Sequence, residues 1–409
     1  MLKTHVERVL KNLYLLRVDD DQIRYFEAIW KIEDGITYNS YLLINEGEVI
    51  LIDGWKKKYA DEHLETLKSL VDVKDITHVI IHHMEPDHSG SLGLILKENG
   101  FKAEVLGHPL VKNMMKTLYG IDVKFRAIRD GENLLLGSLA LKFFHTPWLH
   151  WPETIMTLLK EESLLLSGDA FGGFSIPEAI FDDSEEVISH YLPSVRKYVA
   201  AIIGAYRAHI IKNIDKLSRT GISPKIIAPA HGLIWKKKPE VIIDYYRRLA
   251  RGEPDGNKIL IISGSMYGLT EKAAEVALEE AYNLGCRVAY YRFNDLEHAS
   301  LVDIIGDAID SKAIIIAAPT YEAGVYPLVE QVVRLISKKI PPKPVLVISS
   351  YGWAGVAAKS ISEVLSKAGF KILDAIEFQG SASEADLERI KTGVRGLIGL
   401  SGGEAEREK

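Results

Sequence analysis

Cysteine is nearly absent: Cys286 is the only one in 409 residues. That excludes an internal disulfide and any built-in four-thiolate iron centre. Long apolar runs are missing too, since none approaches the roughly 20 residues a membrane-spanning helix needs. Residues 1–11 are charged rather than signal-like, so a cytoplasmic protein is expected. Positive charge is not in excess either. With 50 Lys and Arg against 56 Asp and Glu the net charge is -6, which gives no reason to expect nucleic acid or a membrane as partner. Hydrophobic residues make up 47% and charged residues 26%, a globular composition over a length that calls for two cores.

Short strands are predicted at 13–18, 28–32, 38–44 and 49–52, the last pair joined by a Gly-containing turn at 45–48. Ala60, Leu64, Leu67 and Val71 recur at helical spacing. Strand 77–81 and helix 92–99 follow, then strands at 123–128, 133–136, 139–144, 154–159 and 163–167, a long helix at 185–217 and a strand at 225–228. Mixed strands with helices between them predict a sheet sandwich flanked by helices over residues 1–250. The polar stretch 251–256, Arg-Gly-Glu-Pro-Asp-Gly, reads as a linker. Beyond it, strands at 259–263, 287–293, 313–318, 345–350 and 371–378 alternate with helices at 270–284, 301–310, 326–338 and 355–368. That alternation predicts a parallel, doubly wound α/β sheet over 257–400, before a charged tail at 401–409 that is expected to be disordered.

Chemistry concentrates after strand 77–81, where the chain reads His-His-Met-Glu-Pro-Asp-His-Ser-Gly over 82–90. His83, Glu85, Asp87 and His88 are metal-ligand types within six positions. Imidazole and carboxylate without thiolate suit zinc or iron, and four such donors so close together rarely serve one ion, so two adjacent metals are expected. Other strand ends supply His150 in Thr-Pro-Trp-Leu-His-Trp-Pro, Asp169 in Ser-Gly-Asp-Ala and His231 in Ala-His-Gly. Each follows a strand and is flanked by Gly or Pro. This spacing resembles the metallo-β-lactamase superfamily, except that Glu85 stands where a second His is normal. The added carboxylate favours iron that cycles between ferrous and ferric, and the set looks like that of the flavodiiron proteins. The resemblance implies one iron on His83, Glu85 and His150, a second on Asp87, His88 and His231, and Asp169 between them. His82 is read as supporting rather than ligating, His145 as packed and hydrogen-bonded, and His63, His190 and His298 as solvated.

In the second half, strand 259–263 runs into Ser265, Met266, Tyr267, Gly268, Leu269 and Thr270 and then a helix, offering hydroxyls, free N–H groups and a helix dipole to a phosphate. Pro319, Thr320, Tyr321 and Glu322 follow the third strand, and Ser350, Tyr351, Gly352, Trp353 and Gly355 the fourth. Aromatic and Gly-rich loops at neighbouring strand ends suit a flat isoalloxazine ring. No dinucleotide-type Gly-x-Gly-x-x-Gly with a following acid is present, which argues against NAD. This half resembles flavodoxin, which implies FMN. Relatives often carry Asn where Glu322 stands.

Together the halves resemble a flavodiiron protein, or A-type flavoprotein, over nearly the whole chain: a metallo-β-lactamase-like αββα sandwich followed by a flavodoxin-like domain. The resemblance implies reduction of dioxygen to water, of nitric oxide to nitrous oxide, or both, at a diiron site fed by FMN. It also implies a head-to-tail homodimer, or a dimer of dimers, that brings one subunit's FMN to its partner's irons. With no cysteine ligands in the chain, the donor must be external, rubredoxin or reduced coenzyme F420. The competing readings are a dizinc hydrolase fused to a flavodoxin domain and a non-enzymatic flavin carrier or sensor.

Overall fold

The computed structural model describes residues 3–400, and the tail at 401–409 lies outside the described residues. Residue contacts divide the chain into two units: the residues up to Tyr198 with Ala208–Arg247, and Val199–Arg207 with everything from Arg248.

The first unit is built on two sheets. One has seven strands in the order Lys3–Arg8, Leu13–Asp20, Ile36–Asn45, Glu48–Ile52, His78–Ile81, Glu104–Gly107, Phe125–Ala127. The other has five, in the order Asn133–Leu136, Leu139–His145, Ile155–Leu159, Leu164–Gly168, Ile226–Pro229. Alternate residues of each strand point to one face, so Leu13, Leu15, Tyr41, Leu43, Ile50 and Ile52 of the first sheet share a core with Leu141, Phe143, Ile155, Leu159, Leu164 and Leu166 of the second. Each such side chain contributes about 1.5–3 kcal/mol on full burial. This is the expected sandwich. From Glu48–Ile52 onward the first sheet is parallel, as is the pair Leu164–Gly168 and Ile226–Pro229 in the second. The loops leaving these strands are where the polar motifs lie.

Several elements differ from expectation. The strand expected at 28–32 shrinks to Trp30–Lys31 paired with Tyr25–Phe26, because Glu27 and Ala28 turn the chain in left-handed conformations (φ 48° and 58°). A helix, Val111–Tyr119, occupies a stretch for which no element is predicted, and its buried stripe is only Val111 and Met115, too short to announce itself. The long helix of 185–217 is interrupted: Glu185–Tyr198 gives way to a π-helical turn, Val199–Ile203, and a 3-10 turn, Gly204–Tyr206, before Arg207–Arg219. All five residues of the π turn are buried. Gly204 follows it, and any side chain there would press on the Lys339 backbone. The helix Pro239–Arg251 runs into the first residue of the expected linker.

In the second unit five parallel strands stand in the order Arg287–Phe293, Lys258–Gly264, Ala313–Ala317, Pro344–Tyr351, Lys371–Gln379. Counted from the first strand of the unit this is 2-1-3-4-5, the flavodoxin-like order, in which ligands bind outside the carboxyl ends of the strands at the switch point. Ala273, Ala274, Ala277 and Ala281 let the helix Leu269–Asn283 lie close against Ile259, Ile261 and Ile315. A small hairpin, Thr320–Tyr321 with Gly324–Val325, turns through Glu322 and Ala323 at φ 45° and 60°. Among the described residues no helix is long and apolar enough to cross a membrane.

Candidate metal centre and flavin pocket

Strand His78–Ile81 ends in a loop and a short helix, Pro86–Ser89. The tightness of this turn brings His83, Glu85, Asp87 and His88 to one side. The loop after Leu139–His145 brings His150, the end of Leu164–Gly168 brings Asp169, and the end of Ile226–Pro229 brings His231. All seven are nearly closed to solvent, from 0% for His83, His88 and His231 to 8% for Glu85. Their donor atoms form two groups, His83 with Glu85, His150 and Asp169, and Asp87 with His88 and His231, each within 4.8 Å.

Asp169 lies between the groups. Its Oδ2 is 3.1 Å from His150 Nε2 and 3.5 Å from His83 Nε2, while Oδ1 is 2.9 Å from His88 Nε2 and 3.7 Å from His231 Nε2. One oxygen faces each group. His88 and His231 point their Nε2 atoms at each other across 3.0 Å, and His150 Nε2 is 2.7 Å from Glu85 Oε2. Yet both ring nitrogens of His83, both carboxylate oxygens of Asp87 and Oδ1 of Asp169 are buried without a hydrogen bond. Each such atom costs about 1–3 kcal/mol when left unsatisfied, more when charged, and a cation shared within each group would satisfy them. Four imidazoles and three carboxylates without thiolate are a donor set for non-haem iron or zinc.

The electrostatics agree. Burial, with repulsion from Glu85 and Asp169, pushes Asp87 up to about 7 against the pull of His88. Burial would lower His88, but Asp87 and Asp169 raise it to about 10. Burial and the neighbouring His88 hold His231 down at about 4. Burial would raise Glu85, but the hydrogen bond from His150 and the His83 imidazole 3.5 Å away bring it to about 2. Without metal, protons hold these crowded carboxylates together, and metal binding displaces them.

Supporting contacts fix the ring orientations. His231 Nδ1 donates to the Thr37 carbonyl at 2.6 Å, which directs Nε2 inward. His82 donates from Nδ1 to Asp53 at 2.6 Å and accepts from Thr157 at 3.0 Å, so neither ring nitrogen is free to ligate. His145 is held by the Ile128 carbonyl at 2.9 Å. His63, read as solvated, is instead wholly buried: its ring stacks on Trp55 at 4.4 Å and its Nδ1 meets Ser91 Oγ at 2.9 Å. It sits one turn before Leu67, on the helix's core face. His190 and His298 are exposed. Sequence reasoning missed Tyr198, whose hydroxyl donates to Asp169 Oδ2 at 2.8 Å. Nothing local in a helix marks a tyrosine for a partner 29 residues away. It also missed Glu153, which accepts from the Met84 N–H at 3.0 Å.

In the second unit a pocket of about 360 Å³ opens at the strand ends. It gathers 13 of the 15 residues singled out for a flavin, all but Gly268 and Gly355, and adds Gly380. Ser265 Oγ accepts from Gly268 N at 3.0 Å, shaping the turn at the helix N-terminus, and Thr270 and Ser350 hydroxyls meet at 2.6 Å. Thr320 Oγ1 accepts from Val356 and Ala357 N–H, joining two of the loops. Trp353 and Tyr267 stand 89% and 86% exposed at the rim, free to cover a ring. No lysine, arginine or histidine lines the pocket. A phosphate there would be met by hydroxyls, backbone N–H groups and the helix dipole, a cradle that fits FMN.

Comparison with known proteins supports both halves. Residues 36–232 match the family described as ODP family beta lactamase, and residues 261–393 match flavodoxin. The chain is 30% identical over 368 residues to the nitric oxide reductase of Moorella thermoacetica, covering 89% of this chain and 90% of that one. It is 29% identical over 394 residues to the rubredoxin-oxygen oxidoreductase of Megalodesulfovibrio gigas, covering 94% and 95%. A variant of the flavo di-iron protein of Thermotoga maritima superposes with a TM-score of 0.93 at 38% identity, covering 98% of this chain and 99% of that one. Two-domain order, sheet topology and whole-length similarity agree, and the chain belongs to the flavodiiron protein family.

Proposed function

We propose that the chain is an oxidoreductase that reduces dioxygen to water, nitric oxide to nitrous oxide, or both. In this reading residues 1–250 hold two irons, one on His83, Glu85 and His150 and the other on Asp87, His88 and His231, with Asp169 shared. Residues 257–400 hold FMN. FMN supplies the relay of electrons and the iron pair supplies the redox chemistry on a diatomic molecule. The observation that carries the reading is Asp169, with one carboxylate oxygen facing each donor group. Every candidate ligand is at most 8% exposed. Phe26, Tyr38 and Tyr198 pack around His231, and Trp151 packs against His83 and His150. A site so closed to solvent leaves little room for an ester or phosphodiester, which favours reduction of a small gas over hydrolysis. The names of the Moorella and Megalodesulfovibrio relatives support the same two substrates.

Anaerobic reduction of the iron- and FMN-loaded protein, followed by separate pulses of each gas with product analysis, tests the proposal. Consumption of at least one gas is expected, and a loaded protein that consumes neither overturns it. Reduced rubredoxin and reduced coenzyme F420, offered separately, identify the donor. A head-to-tail homodimer, or a dimer of such dimers, belongs to the same reading. Mixing subunits disabled at the metal site with subunits disabled at the flavin pocket should then restore part of the turnover.

A further inference from the structure

Glu153 is wholly buried and belongs to neither donor group. Its Oε1 accepts from the backbone N–H of Met84 at 3.0 Å, a contact between residues 69 apart in sequence. Its Oε2 has no hydrogen-bond partner, and among the described residues no ion pair is recorded for it.

The place of that single bond is informative. Met84 lies between His83 and Glu85, and Glu153 follows His150 by three residues, so one contact ties together the two segments that carry all three side chains of one metal position. Both ends are stiff. On one side the Met84 carbonyl accepts from Ser89 Oγ at 2.8 Å, so the peptide units before and after Met84 are both held. On the other, Thr154 Oγ1 donates to the Trp151 carbonyl at 2.8 Å, and Ile155 N–H donates to the His82 carbonyl at 2.9 Å, fixing the turn that carries Glu153. The second position, Asp87 with His88 and His231, receives no such tie from Glu153.

The choice of a carboxylate is also informative. A neutral amide could accept the same N–H at a far lower desolvation cost, since a buried charge with one hydrogen bond and no counter-ion costs several kcal/mol. His108 feels Glu153 as a charge that raises it, yet burial and His145 outweigh that pull and keep His108 below its ordinary value. A metal pair held by the segments that Glu153 ties would supply positive charge to balance it.

We infer that Glu153 is the positioning residue of the metal position formed by His83, Glu85 and His150: its hydrogen bond fixes their loops, and its negative charge favours the more oxidised, more positive state of the pair. The inference rests on the diiron reading above. The test compares wild type with Glu153→Ala and Glu153→Gln, each loaded with iron and FMN. Measurements are iron per chain, Mössbauer spectra, FMN per chain and the midpoint potential of the iron pair. Glu153→Ala should fall from two irons per chain toward one, with one Mössbauer site lost and FMN unchanged. Glu153→Gln keeps the acceptor and removes the charge, so it should hold both irons with the midpoint shifted upward. Two irons with wild-type spectra in the Ala variant, or an unshifted midpoint in the Gln variant, overturn the inference. If the Ala variant fails to fold, as loss of FMN together with both irons would reveal, the Gln variant decides alone. Wild type that binds no iron at all would instead sink the diiron reading.

Discussion

Gly232→Ala should damage the first unit and the second metal position together. Gly232 sits at φ 75°, a conformation that costs an L-residue about 1–2 kcal/mol. A Cβ there would overlap the Tyr191 hydroxyl and the carbon that bears it. Tyr191 is 3% exposed and packs near Trp235 at 6.1 Å, so it has little space to retreat, and such overpacking costs about 1–3 kcal/mol. The expected loss is therefore about 2–5 kcal/mol. Gly232 is also pinned through its N–H to Thr37 Oγ1 at 2.7 Å and through its carbonyl to Asn39 at 3.1 Å, so any shift displaces the adjacent His231. Urea unfolding followed by tryptophan fluorescence is the assay, because five of the six tryptophans, all but Trp353, lie in the first unit. Tyr191→Leu removes the obstacle, so the double variant should recover the steric part, a coupling of about 1–3 kcal/mol in a double-mutant cycle. Strict additivity, or a Gly232→Ala protein with unchanged midpoint and full iron content, would refute the reasoning.

Other perturbations probe separate parts of the molecule. His63 is buried, and burial lowers its pKa from 6.5 to about 3. The unfolded chain therefore takes up this proton first as pH falls, and stability is lost between about 6.5 and 3, at about 1.4 kcal/mol per pH unit. The metal-free His63→Phe protein, compared with metal-free wild type, should show a shallower loss of stability from pH 6.5 to 4.5 in urea titrations; parallel curves would contradict this. Asp169→Ala and His88→Ala should each abolish gas turnover while leaving the flavin absorption intact, and equal loss of flavin would point to unfolding. Tyr198→Phe removes one buried hydrogen bond to Asp169, a stability loss of about 1–2 kcal/mol, and should change the Mössbauer spectrum of the iron pair without lowering iron content.

The class of each sheet, the division into two halves and the seven donor residues were legible because each leaves a local mark: strand periodicity, then polar residues in a loop that carries Gly or Pro. What was not legible depends on contacts between distant segments. Tyr198 and Glu153 act across 29 and 69 residues through a helix face and a turn, and no pattern near either residue reports it. His63 was misread for a different reason. Its helix has a stripe through Ala60, Leu64 and Leu67, and one turn back from Leu67 is His63, so helical phase placed it inside while residue type suggested outside. The interruption after Tyr198 was hidden because apolar residues at 199–203 fit an α-helix as well as a π turn.

The two groups of donors share one further property. His83 and Glu85 hang from the seven-stranded sheet, whereas His150 and Asp169 hang from the five-stranded one. Asp87 and His88 are likewise opposite His231. Each ion would therefore act as a rivet between the two leaves of the sandwich, fastened at the rim where the apolar core ends. Metal uptake then becomes part of what keeps the leaves closed, and a chelator strong enough to extract the ions should let that rim open before the oily interior gives way.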